Sequence, residues 1–244
     1  MMMPEEPQSV FAAAKPGVYT RYAVTLQFRY RLVGGVPRDP EMMERWIRSK
    51  AGITDEMEIQ HLLIETLQQN GIAVRDGMTM EEMREAAAKV TELKQNGFKR
   101  FPDGRLAFEA RQIKAGIKEA VNILFAGTRW GRTSKGPKAF TAERVFVEPA
   151  PLIPLLHEDG TPYTEPDTVQ TRVGHVSGPG GPRAILQNEE VVERPLLRFE
   201  ILVVDDGIQP EHWGRIWTLM EENGLGTARS QGYGQFVVTE WRKH

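Results

Sequence analysis

Arg111, Lys114 and Lys118 recur three and four residues apart in "EARQIKAGIKEAVNILF", so a helix over this stretch gathers them into one stripe of positive charge. Just downstream, "GTRWGRTSKGPK" interleaves Trp130 with Arg129, Arg132, Lys135 and Lys138. Single-stranded nucleic acid exploits that mixture, because cations neutralise phosphates while an indole offers a face for base stacking. A third group lies in "GLGTARSQGYGQF", residues 224–236. There Gly226 and Gly232 allow backbone amides to approach an anion closely, Arg229 adds charge, Ser230 donates a hydroxyl hydrogen, and Tyr233 supplies a second stacking ring. Each group also has a plainer reading. The stripe is then a solvated helix face, Trp130 anchors its loop to the core, and the glycines make a turn whose Tyr233 and Phe236 pack inward.

Composition narrows the chemistry. The 244 residues carry a formal charge of −2, yet residues 99–138 hold ten Lys or Arg against Asp103, Glu109 and Glu119, a local balance of +7. A polyanion is therefore expected on one patch and not over the whole surface. Cysteine is absent, which removes thiolate metal sites and thiol nucleophiles and suits a reducing, cytoplasmic setting. No apolar run approaches the roughly 18 residues of a membrane span, so no membrane is expected as a partner. Residues 1–18 read as a loose N-terminal arm and not as a signal peptide. The five histidines, at 61, 157, 175, 212 and 244, show no metal-ligand spacing. Asp205/Asp206 and Glu189/Glu190 are neighbours whose side chains diverge on a strand, and no phosphate-binding or dinucleotide motif occurs, so neither catalytic residues nor a metal or cofactor are assigned.

Stepping from these residues to their scaffold, Tyr19 to Val33 alternates as a long half-buried strand. Asp39 and Pro40 form an N-cap and N1 pair for a helix through about Lys50. Two more helices are expected, one with Ile59, Leu62, Leu63 and Leu67 on a face, the other opened by a Thr79/Glu82 capping box. A helix over about 109–125 carries the cationic stripe. Strands are expected at "ERVFVEP", "TVQTRVGHV", "AILQNEEVVER" and "LLRFEILVVDD", then a helix over about 210–223 with Gly224 as an αL cap, and "QFVVTEW" as the closing strand. Setting aside the helical stretch 40–97, that order predicts an α+β architecture with helices on one face of an antiparallel sheet.

Taken in order, several of these stretches resemble the RAMP superfamily of CRISPR-associated proteins, specifically the subunits that polymerise along guide RNA as the effector backbone. The opening strand ends in "LVGGVP". "LAFEARQIKAGIKEAVNIL" is similar to the family's extended entry into a helix with an "IKG-L-R"-like core. "GLGTARSQGYGQF" is similar to the glycine-rich loop G-x-G-x-x-x-S-x-G-x-G-x-F, and "GPGGPRAILQNEEVVERPLLRFEI" to the stretch before the penultimate strand. The match covers about two thirds of the chain; the large insertion at 40–97 and the "TAR" before Ser230 depart from the pattern. The resemblance implies an RRM-like, ferredoxin-type core in one domain over 19–244, single-stranded RNA held by loops and helix faces, head-to-tail packing of copies, and other effector subunits as partners. RNA-cleaving members place an aspartate after the first strand, so the resemblance leaves open an endoribonuclease in which Asp39 or a histidine assists attack by a ribose 2′-hydroxyl. The helix-cap reading explains the same residue more simply, and a structural protein without RNA is the third reading.

Overall fold

The computed structural model describes residues 15–37, 44, 56–69, 73–90, 95–130, 136–178, 181–204 and 208–244. The expected helix after Asp39, Asp39 itself, Arg132, Lys135 and the Asp205/Asp206 pair fall outside them. After a helical turn at Lys15–Val18, strand β1 runs Tyr19–Phe28 and alternates as its sequence predicts, with Tyr22, Val24, Leu26 and Phe28 buried. The expected strand does not continue to Val33 in the same sheet. A bend at Arg29–Tyr30 breaks it, and β2 (Arg31–Val33) and β3 (Val36–Pro37) join another sheet.

Helices α1 (Glu56–Gln69) and α2 (Met80–Val90) follow, then the short strands β4 (Gln95–Gly97), β5 (Lys99–Arg100) and β6 (Leu106–Glu109). The capping box closes as predicted, since the Thr79 amide donates to Glu82 Oε2 at 2.7 Å and the Glu82 amide to Thr79 Oγ1 at 3.3 Å. Next come α3 (Ala110–Leu124), α4 (Pro137–Arg144), β7 (Val145–Glu148) and β8 (Leu152–Pro154). Helix α4 is not expected from the sequence, which reads as loop through Lys138 and as strand from Glu143; the strand begins only at Val145. The signal for α4 was Pro137 at the first helical position, masked by the glycines before it. Long strands β9 (Thr168–Gly178) and β10 (Gly181–Glu193) pair as a hairpin, and β11 (Leu196–Val204), α5 (Pro210–Asn223) and β12 (Phe236–Lys243) complete the chain.

The fold is α+β. Its central sheet has the order β12-β1-β11-β7, with each neighbouring pair antiparallel. Helix α3 lies between β1 and β7 in the chain and α5 between β11 and β12, so the core is the β-α-β-β-α-β ferredoxin-type arrangement. Register aligns the buried side chains: Val24 faces Phe199, Leu26 faces Leu197 and Val238, and Phe28 faces Phe236. Over that face α3 lays Ile113, Ile117, Ala120 and Val121, and α5 lays Trp213, Ile216, Trp217 and Met220, all in one core. Helices α1 and α2 bury Ile59, Leu63, Ile64, Leu67 and Met83 in a separate cluster.

Candidate nucleic-acid interface

The glycine-rich segment between α5 and β12 divides into an inner and an outer half. The inner half is packed into the fold. Gly224 ends α5 at φ +70°, its amide donating to the Met220 carbonyl at 2.9 Å; its ψ of 173° departs from the expected αL cap, because the chain must extend at once toward Leu225. The Leu225 amide donates to the Gly234 carbonyl (2.9 Å), the Gly234 amide to Arg31 (3.0 Å), and Thr227 Oγ1 to Val33 (2.8 Å). A Cβ on Gly226, at φ +86°, would lie 3.0 Å from Leu32 Cδ1, and one on Gly234 would collide with the Leu225 carbonyl. These glycines therefore permit close approach of protein to protein. Where Gly226 meets Gly35, Gly97, Lys99, Phe108 and Gln112, the cavity left is about 30 Å³, room for water and not for a base.

The outer half is open. Arg229–Gln231 makes one 3₁₀ turn between Ala228 and Gly232, both left-handed at φ +57° and +82°. Arg229, Ser230 and Gly232 are exposed, and Tyr233 is half-buried. Arg229 donates from Nη1 to Glu119 on α3 at 2.9 Å.

At the start of α3, the buried Glu109 carboxylate accepts from Arg111 Nε and Nη2 at 3.0 and 2.7 Å and from Gln112 Nε2 at 3.1 Å. Burial pushes Glu109 up, but the hydrogen bonds from Arg111 and Gln112 and the charges of Arg111 and Lys99 outweigh it and hold the group below its ordinary value. Desolvation draws Lys99 down, and the Glu109 charge partly offsets it. Arg111 at the start of α3 and Arg229 in the glycine loop are thus already held by carboxylates.

Lys114 and Lys118 stand differently. Lys114 Nζ lies 4.6 Å from the Phe146 ring centroid, and desolvation followed by the Lys118 charge lowers its pKa. Among the described residues no carboxylate pairs with either lysine. Around the helix Lys114 lies roughly 140° and Lys118 roughly 100° from Glu119, so both lysines point to a different flank of α3 from the carboxylate that holds Arg229. Arg129 and Lys138 are exposed near the other end of the helix.

Trp130 is 9% exposed. Its indole stacks on His212 with centroids 5.2 Å apart and planes 14° from parallel, and meets Phe125 at 4.9 Å and Phe140 edge-on at 6.0 Å. The anchoring reading describes this residue. His212 sits in the first turn of α5 and the glycine loop follows its last, so the length of a 14-residue helix, about 21 Å, separates them. Trp130 and the glycine turn therefore do not share one cleft. Each follows the C-terminal end of its helix, and because α3 and α5 run antiparallel those ends lie on opposite sides of the helical layer.

The open face of the central sheet carries ion pairs. Arg21 Nη1 donates to Glu200 at 2.6 Å and Thr25 Oγ1 to Glu240 at 2.9 Å, while Tyr19 and Phe146 pack edge to face. Glu119 and Thr227 carry no sequence signal for their contacts, whereas the Gly34–Gly35 doublet stands in one of the stretches that carry the resemblance. The doublet in "LVGGVP" was a usable signal, whereas Glu119 meets its partner 110 residues away.

No group of three or more potential metal-ligating side chains converges among the described residues, and none of their helices is long and apolar enough to cross a membrane. No family model matches the chain, and no curated protein matches it. Among solved structures, a chain of the cryo-EM structure of the type III-B Cmr-beta bound to cognate target RNA is similar to this one at 13% identity and a TM-score of 0.43. The similarity covers 95% of this chain, which spans 62% of the length of that one.

Proposed function

We infer that this protein binds single-stranded RNA as a non-enzymatic subunit of a CRISPR-type ribonucleoprotein effector, contacting the RNA backbone, copies of itself and other subunits. The observation that carries the reading is the flank of α3, where Lys114 and Lys118 have no carboxylate partner among the described residues while Arg111 and Arg229 are neutralised within the chain. Unpaired cations on a rigid helix give phosphate affinity with little sequence preference. Arg129 and Lys138 add exposed charge beyond the end of α3, and Arg132 and Lys135, which lie between them in the sequence, are proposed as further contacts. The exposed turn of Arg229, Ser230, Gly232 and Tyr233 forms a second contact. Gly226 and Trp130 support the two contact regions through packing, Gly226 by close approach and Trp130 as an anchor.

The sheet face fits this division, since its ion pairs and edge-packed Tyr19 and Phe146 do not make the aromatic platform on which an RRM stacks bases. Assembly with copies and other subunits rests on the resemblance, with the 40–97 segment as the contacting element. The test is the nucleic acid that purifies with the protein, read from its absorbance ratio before and after ribonuclease, and fluorescence anisotropy with a labelled oligouridylate. Ribonuclease-sensitive absorbance and saturable binding at low salt are expected. Neither signal, or binding that survives molar salt, overturns the reading.

A further inference from the structure

The geometry points to Glu119 as an internal counter-ion that latches the outer half of the glycine loop onto α3, so that an anionic ligand engages Arg229 only by displacing it. This inference rests on the proposed RNA binding for the identity of the anion, which is the phosphate backbone. The latch itself rests on geometry.

Three features build it. Arg229 Nη1 lies 2.9 Å from Glu119 Oε2, with the two side chains 37% and 44% exposed, so the pair is reachable from solvent. Arg229 begins the single 3₁₀ turn that has left-handed residues on both sides, Ala228 at φ +57° and Gly232 at φ +82°. Ala228 occupies a region that L residues with a Cβ seldom hold, which makes it a place where the backbone can change direction on release. The inner half on either side is fixed by hydrogen bonds from Leu225, Thr227 and Gly234, so movement is confined to about 228–233. Among the described residues the only hydrogen bond or ion pair from this turn's side chains to the rest of the fold is the Glu119 pair. An exposed ion pair of this kind is weak, which suits a contact that a phosphate must replace.

The experiment compares wild type with Glu119→Gln, Arg229→Gln and the double variant, with Glu211→Gln as a control that removes an exposed acid at the far end of α5. Two readouts are taken after circular dichroism shows each variant folded: oligouridylate affinity by anisotropy, and the rate of tryptic cleavage after Arg229, identified by mass spectrometry. The latch requires that Glu119→Gln speed cleavage at Arg229 and tighten RNA binding up to about five-fold, the ceiling set by so weak a pair. It also requires that the gain disappear in the Arg229→Gln background and that Glu211→Gln reproduce neither effect. Unchanged cleavage in Glu119→Gln, or a gain in affinity that persists without Arg229, overturns the latch. Faster cleavage with no RNA binding by any variant keeps the latch and sinks the RNA reading, so the two failures are distinguishable.

Discussion

Gly232 and Gly234 both sit at positive φ, +82° and +76°, but only the second is hemmed in. Alanine at Gly232 meets open space and is expected to cost about 1 to 2 kcal/mol for the left-handed backbone alone. At Gly234 the added Cβ also drives into the Leu225 carbonyl, and the expected cost exceeds about 3 kcal/mol. Urea unfolding of the two variants checks the order. Glu109 permits a pH test. Its folded pKa lies below the ordinary 4.5, so its contribution is fully present above that value and lost as pH falls through the folded one. Glu109→Gln is therefore expected to destabilise by about 1 to 2 kcal/mol at pH 7, with the gap to wild type closing under acid titration of the urea midpoint. At this scale the sequence reading was uneven. The glycines of 224–236 are visible as residues needed for unusual backbone, but which of them serve packing and which lie open depends on contacts with Leu32 and Arg31, far away in the chain, and with Leu225.

Among elements, those with a strong local pattern were legible. Helices α3 and α5 appear where helical spacing puts them, β1 takes only the part of the alternating stretch up to Phe28, and the Thr79/Glu82 box opens α2. Short strands such as β3, β4 and β5, of two or three residues each, have no period to read and exist through their partners. The α1–α2 pair has its own buried cluster, with Leu63 and Met83 each 1% exposed. Leu63→Ala is expected to cost about 2 to 5 kcal/mol and to act locally. Hydrogen exchange should then accelerate across 56–90 while the amides of β1 and β11 keep their protection. Loss of protection throughout the sheet would show that the helical pair and the sheet open together.

Across the molecule, charge distribution makes the sharpest prediction. If Lys114 and Lys118 each contact a phosphate, replacing both by Gln lowers the log–log salt slope of RNA binding by about 1.4, at roughly 0.7 per contact for a single strand. Arg229→Gln, whose charge is already paired, should change the slope less; anisotropy over a salt series measures both. A larger loss from Arg229 than from the two lysines would move the main contact to the glycine turn. Composition and periodicity by themselves determined the α+β class, the helix that bears the stripe, and the +7 balance of residues 99–138, because these depend on neighbours a few positions away. Only the tertiary structure decided which charges are free. Glu119 cancels Arg229 from 110 residues away, and Trp130 turns inward because His212 and Phe140 cover its ring. The antiparallel α3 and α5 hold Trp130 and the glycine turn about a helix length apart, since the strands that each helix connects fix its direction whatever its polar face carries.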